Sequence, residues 1–539
     1  MRNFIFRLTW IAAFLLAATG SWAQTSEGND SGSLLIPLLV VIVLAILLVV
    51  FSASKSVLAQ ETRQEGGEKR PRTRSLSSSK VPSYVNGDTF LRLKKGYNIL
   101  LEGEPSAEVQ SANEVRTFAL QPGNFPGMSP IPKVLVEKGA EVKAGDPLFF
   151  DKKRPEVQYV APVSGEVIAV NRGAKRSIAE VVILADKEIK YRKLDKLDYA
   201  TCSREELVNY LMAHGAWPLI RQRPFNVLAD SEEVPVNIFI STFDSAPLAP
   251  DPKVVVEGRG KVFQAGLDVL NKLTSGSVIL GMDARGKEAP SSVFTEASNV
   301  EKYWFDGKHP VGNVGVQIHH IAPISNKDKV WTLGVQDVIT LGALFAEGRY
   351  NAERVVALAG VGLDKPQHVR TFMGASLKEL LKGNLQEDHV RIISGDVLSG
   401  QQKQADSYLN FYDDQVTIAK EGDYYEAFGW LLPIKLRPSV SKTFRNFLLP
   451  QHRFVPDTNT HGEKRAFVVS GQYEELLPMD IYPQHLMKSI LIGDLEQMEG
   501  LGIFELVEED VALAEFACVS KQPLQEILRD VLNKMREEG

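Results

Sequence analysis

The sequence predicts a multidomain α+β protein. A small folded-over β sandwich, a parallel α/β domain, a β-grasp-like domain and a helical C-terminal domain follow an N-terminal transmembrane helix or helices. Three observations predict it. Between residues 133 and 184 apolar residues recur with a period close to two, and each run ends at a glycine turn. From 190 to 345 strand patterns alternate with helix patterns. Near the N-terminus, residues 34–51 are apolar and carry no charge.

At the start of the chain, Arg2 and Arg7 flank the entry to an apolar run at 8–18. Ser21-Trp22-Ala23 then has the small-x-small spacing of a signal-peptidase site. Residues 1–23 are therefore expected to be a signal-like or first transmembrane segment. The run 34–51 is long enough, at about 1.5 Å per residue, to cross a hydrocarbon core of about 30 Å. Its Pro37 falls in the first turn, where a helix tolerates it. No lysine or arginine lies between the two runs, whereas Lys55, Arg63, Lys69, Arg70, Arg72, Arg74 and Lys80 follow the second. That asymmetry places the bulk of the chain on the cytoplasmic side of the inner membrane. Residues 52–88 read as a flexible basic tether able to touch anionic membrane lipid.

The sandwich is expected over 89–189. Val134, Val136, Val142 and Leu148 alternate with polar residues, as do Val157, Tyr159, Val163, Val167 and Ile168 farther on. Glycine suits the turns between them because it reaches positive φ without steric cost. The phrase V-x-x-G-x-x-V-x-x-G-x-x-L, followed by A-P-x-S-G-x-V, resembles the barrel-sandwich of biotinyl and lipoyl domains. Those domains attach a cofactor to a lysine at a hairpin tip. Lys152 and Lys153, in FFDKKRP, are the candidates, without the flanking methionines of a biotin site or the Asp-Lys-Ala of a lipoyl site. A β module used for docking is the favoured reading.

Residues 190–345 open with a helix capped by Ser203, with Glu206 at capping-box spacing. The strand VNIFIST, the helix KVFQAGLDVLNKLT and the strand SVILGM follow, which is the order of a Rossmann-like parallel sheet. No G-x-G-x-x-G follows a strand and no G-x-x-x-x-G-K-[ST] occurs, so nucleotide phosphates have no glycine-rich cradle. In 346–435 the strand RVVALAG, the strand and helix within HVRTFMGASLKELLKGNL, and VRIISGDVLSG suggest the β-grasp-like domain. Residues 436–539 are acidic and mostly helical. Leu524, Ile527, Leu528, Val531 and Leu532 form one apolar stripe, read as a packing face.

Composition narrows the chemistry. The 539 residues carry a net charge of −6, which argues against a nucleic-acid partner. Two cysteines, Cys202 and Cys518, cannot build a zinc site or a cysteine-ligated iron–sulfur cluster.

Phrases spread from Leu91 to the C-terminus carry a resemblance. They include KKGYNILLEGEP, FFDKKRP, APVSGEVIAVNRGAKR, FDSAPLAPDP, FDGKHPVGNVG, VWTLGVQDVITLGALFAEGRYNAERVVALAG and KPQHVRTFMGASLKEL. The chain resembles the NqrA subunits of the bacterial sodium-translocating NADH:quinone reductases (the Nqr complex). That family starts near Leu91, so the N-terminal membrane segment is an addition. The resemblance implies one member of a six-subunit complex that passes electrons from NADH to quinone and exports Na⁺. It implies an SLBB-like identity for the β-grasp-like domain. It also implies the other five subunits, NqrB to NqrF, as partners, above all the membrane flavin protein NqrB. The substrate would be ubiquinone or menaquinone, with no flavin and no iron–sulfur cluster in this chain. The alternative reading is a membrane-anchored adaptor or scaffold with a barrel-sandwich domain and no redox role.

A quinone site needs an apolar slot for the ring and a few donors for its carbonyls. Two loops supply that mix: 124–129, with Phe125, Gly127 and Met128, and 221–226, with Arg221, Arg223 and Phe225. The resemblance implicates both loops near the quinone. His309 and His319 are further candidates for a proton or quinone contact. The family phrase at the latter usually reads His-x-His-Phe, whereas this chain has Gln317-Ile318-His319-His320. No nucleophile–base pair or metal-ligand spacing emerges, so no self-contained catalytic site is expected. Asp244, Asp251 and Asp337 read equally well as caps or turn residues.

Overall fold

The computed structural model describes residues 81–85, 87–426, 436–441, 446 and 449–538. The apolar runs at 8–18 and 34–51, and nearly all of the basic tether, lie outside these residues. No helix among the described residues is long and apolar enough to cross a membrane.

The α/β domain is built on a seven-stranded sheet. Thr89–Arg92, Glu301–Asp306, Val278–Asp283, Ile238–Ser241 and Val330–Thr332 run parallel in that order. Arg221–Arg223 and Val227–Leu228 close the far edge antiparallel. Burial on both faces explains the continuous apolar strands VILGM and IFI. Ser203 caps helix Arg204–Ala213 through the expected capping box, its Oγ accepting from the Glu206 amide at 3.2 Å. Helices Gly260–Asn271 and Val335–Ala346 cross in direct contact. A Cβ on Gly266 would lie 2.3 Å from the Val338 carbonyl oxygen, and one on Gly342 2.0 Å from that of Val262.

The barrel-sandwich folds one sheet over another. One holds Thr117–Leu120, Ile178–Ala185, Gly165–Arg172 and Glu141–Val142; the other holds Lys133–Val134, Pro147–Asp151 and Arg154–Val160. Val142, Leu148, Val157, Tyr159, Val163 and Val167 point into its core. Lys152 and Lys153 form the two-residue tip between Pro147–Asp151 and Arg154–Val160, both exposed. The β-grasp-like domain contributes a six-stranded sheet in the order Gln401–Lys403, Val390–Ser394, Gln415–Lys420, Glu353–Ala359, Gln367–Phe372, Ser106–Ser111.

Two strands cross the division expected at 89–189. Thr89–Arg92 pairs with Glu301–Asp306 in the α/β sheet, and Ser106–Ser111 pairs with Gln367–Phe372 in the β-grasp sheet. The sandwich itself begins only at Thr117. Backbone pairing, which composition does not encode, assigns these short runs to distant partners.

The C-terminal domain packs helices Gln472–Leu476, Pro483–Ile492, Leu495–Gly500, Glu508–Ala517 and Leu524–Glu538 around Leu486, Met487, Val511 and Leu528. Leu524, Leu528, Val531 and Leu532 are buried in that core with Ile527 against it, so the terminal stripe is a packing face. Val316, from the α/β domain, belongs to the same core and joins the two domains.

Candidate functional site: a crevice at the strand ends

In an open parallel sheet the place to look is where strand order reverses, beyond the carboxyl ends of the strands. From Ile238–Ser241 the chain passes to Val278–Asp283 and Glu301–Asp306 on one side, then returns to Val330–Thr332 on the other. A cavity of 290 Å³ opens at that reversal. Its floor is Ser241–Asp244 and the start of helix Val335–Ala346; its roof is the β-grasp-like domain with Tyr412, Asp413 and Asp414.

The crevice is acidic. Desolvation by the surrounding protein and the neighbouring Asp396 raise the Asp244 carboxyl, although the side chain itself is exposed at the mouth. Burial also pushes Asp414 up to about 6, against the pull of Arg354, and raises Asp413. The amide end of Val335–Ala346, which could hold an anion, is capped instead by Asp337, whose Oδ2 accepts from Gly334 N at 3.0 Å. Asp244 and Asp251 likewise accept from Ala246 N at 2.7 Å and Lys253 N at 2.9 Å, as turn and cap. Carboxylates therefore stand where a dinucleotide fold presents bare amides to phosphate.

Arg221 is the cation in this wall. Its guanidinium lies 5.1 Å from the centre of the Tyr412 ring. Its Nε is shielded from solvent and has no hydrogen-bond partner. Tyr412 is held by its hydroxyl, which donates to the Pro218 carbonyl at 2.6 Å. The Phe125 ring lies 6.0 Å from it and 4.8 Å from Phe411. Asn124 fixes this junction, bonding Asn410 Oδ1 and the Phe411 amide, both at 3.0 Å. Phe125 and Arg221, on separate loops, thus meet through Tyr412. Sequence reading missed Tyr412: FYDD precedes the strand Gln415–Lys420 and looks like an ordinary polar turn.

The same two loops also meet the terminal helix. Gly127, at φ +85°, faces Arg536, whose Nη1 would lie 2.0 Å from any Cβ there. Met128 is half-buried against the main core. The Phe225 carbonyl accepts from Arg529 Nη1 at 2.8 Å, and its ring meets Phe504 edge-on at 6.0 Å.

Three sequence candidates are committed elsewhere. Arg223 is 1% exposed and bridges Asp510 at 3.1 Å and Glu509 at 2.7 Å, so it locks the C-terminal domain to the α/β domain. Burial pushes the Asp510 carboxyl up while Arg223 pulls it down. His319 uses both ring nitrogens: Nε2 accepts from Asp480 N at 2.9 Å, which leaves Nδ1 to donate to Glu505 Oε2 at 2.8 Å. His309 is buried, its Nδ1 3.0 Å from Ser245 Oγ, and burial depresses it to about 4.

Fold and site together define a class: an α/β protein with barrel-sandwich and SLBB-type modules and an acidic crevice at the sheet's reversal. Residues 91–186 match the NqrA N-terminal barrel-sandwich hybrid domain, 202–350 the NqrA second alpha/beta domain, and 355–405 the NQRA C-terminal domain. The chain is 38% identical over 453 residues to the NqrA subunit of the Na(+)-translocating NADH-quinone reductase from Yersinia pestis bv. Antiqua, covering 84% of this chain and 100% of that protein. The corresponding proteins of Neisseria meningitidis serogroup B and Pseudomonas aeruginosa are 38% and 39% identical over the same share of each chain. The chain belongs to the NqrA family of the Na(+)-translocating NADH-quinone reductases, and so to a multisubunit translocase.

Proposed function

We propose that this chain is the cytoplasm-facing NqrA subunit of a sodium-exporting NADH:quinone reductase, contributing to quinone binding and to assembly with NqrB to NqrF. One observation carries the quinone part: loops 124–129 and 221–226, drawn from different domains, converge on Tyr412 and on the terminal helix. Similarity over the full length of relatives that bear the NqrA name supports the assembly part. The run 34–51 anchors the chain, and the basic tether holds the folded part near its partners by raising their effective concentration. Ubiquinone or menaquinone is the substrate, and electrons reach it from other subunits.

The test is a mild-detergent pull-down on the C-terminus, with mass spectrometry and a quinone-reductase assay. Five partner subunits with Na⁺-stimulated NADH:quinone activity are expected. Recovery of the chain alone would leave the scaffold reading in its place.

A further inference from the structure

We infer that the outward corner between helices Pro483–Ile492 and Leu495–Gly500 is a docking site for another subunit of the translocase. Its occupant is a protein surface with an apolar hollow rimmed by lysine or arginine. This rests on the assembly part of the reading above and names the surface that serves it.

The corner exposes apolar side chains that a free surface seldom groups. Ile492 is 74% exposed, Leu491 53% and Leu495 46%. A helix end facing water ordinarily favours basic residues in its last turn. This one has Ile490, Leu491 and Ile492 there, and no basic residue. The exposed positions of Pro483–Ile492 extend the patch as a stripe: Tyr482, His485, Lys488 and Ile492 recur at helical spacing. The opposite face, with Leu486, Met487 and Ile490, is committed to the core of the C-terminal domain.

The corner is also rigid. Gly493, at φ +75°, ends the first helix. Its N–H donates to the Ile490 carbonyl at 3.1 Å, and that of Asp494 to the Ser489 carbonyl at 3.0 Å. The Asp494 side chain accepts from Gln497 N at 3.0 Å and so caps the second helix, while Ser489 Oγ donates to Gln497 Oε1. Leu491, Ile492 and Leu495 are therefore held in fixed positions. A partner can bury them with little ordering of this surface.

Charge selects the partner. Asp494, Glu496 and Glu499 are exposed at the corner and Asp480 beside Tyr482, against one lysine, Lys488. The Lys488 ammonium lies 5.9 Å from the centre of the Phe467 ring of its own domain. The carbonyl end of Pro483–Ile492 adds a partial negative charge at the same tip. A hollow rimmed by lysine or arginine complements that field. An anionic lipid surface, or a second copy of the same corner, is repelled by it.

The experiment uses the complex purified through a C-terminal tag on this chain. Zero-length carbodiimide crosslinking of the wild type joins carboxylates to amines in direct contact, and mass spectrometry reads the pairs. Links from Glu496 or Glu499 to lysines of another subunit are expected. The double variants L491Q/I492Q and E496K/E499K, all at exposed positions, are then washed in mild detergent. V236Q, at an exposed valine of the α/β domain, is the control. Recovery of the linked subunit per tagged chain is expected to fall by about fivefold or more in both double variants. It stays at the wild-type level in V236Q, and an unchanged thermal midpoint shows that the double variants keep their fold. Links confined to this chain or to a second copy of it overturn the docking site, as does full recovery of every partner by both double variants. Either result leaves the assembly reading intact. A wild-type chain recovered without partners overturns both.

Discussion

Arg221 and Arg223 are two residues apart and have opposite roles. Arg223 is sealed between Glu509 and Asp510, and Arg221 lies on an aromatic ring beside open space. Nothing in RQRPFN distinguishes them, because their partners lie hundreds of residues away. Asp510→Ala should therefore destabilise the protein by about 3 kcal/mol, the low end for breaking a buried pair, since Glu509 remains beside Arg223. Urea unfolding would measure it. His309 gives a pH signature. Its folded value of about 4 lies below the ordinary 6.5, so between these pH values the unfolded chain binds more protons and stability falls as pH drops. The loss amounts to roughly 3 kcal/mol across that window. Asp396 and Arg285 face the ring with opposing influence. His309→Asn should flatten this acid-side slope relative to wild type in urea midpoints at pH 7 and pH 5. An unchanged slope would show that the imidazole protonates without cost in the folded state.

Single elements follow local rules closely, and here the sequence was most legible. The Ser203 and Glu206 pair, the strand VILGM and the terminal stripe all appear where spacing puts them, because capping and periodicity act over a few residues. Ser203→Ala should cost about 1 kcal/mol. Leu528→Ala, in the fully buried part of the stripe, should cost about 2–5 kcal/mol. Both are readable as shifts in the thermal midpoint. Glycines separate two kinds of crowding. At Gly315 a new Cβ would fall 2.6 Å from Asp510 Oδ2 and 2.7 Å from Arg223 Nη1, inside a buried ion pair that cannot move aside. At Gly127 the obstacle is the end of the Arg536 side chain, which can swing away, leaving chiefly the cost of positive φ. Gly315→Ala should be the more destabilising of the two. Equal losses would mean that the ion pair yields as easily as a surface arginine.

For the whole molecule, the order of domains was legible and their wiring was not. The sandwich, the parallel sheet and the helical end each announced themselves by period, yet much of what builds the crevice comes from between domains. Tyr412 belongs to a turn of the β-grasp-like domain, and the roof over Asp244 is made by that domain rather than by the sheet. Contacts of this kind depend on how modules are stacked, which no window of sequence contains.

The strands Thr89–Arg92 and Ser106–Ser111 have a bearing on biosynthesis. They emerge early from the ribosome, but their partners Glu301–Asp306 and Gln367–Phe372 are made some two hundred and more residues later. At about 5–20 residues per second, the nascent chain must carry two unsatisfied strands for on the order of ten seconds or longer. The neighbouring sandwich can close behind them, since all its strands come from 117–185. Slowed translation downstream of residue 190 should therefore lengthen the exposure of those two segments to chaperones, leaving the sandwich protected. Pulse proteolysis of stalled ribosome complexes would show it as cleavage within 89–111 that disappears once residue 372 has cleared the exit tunnel.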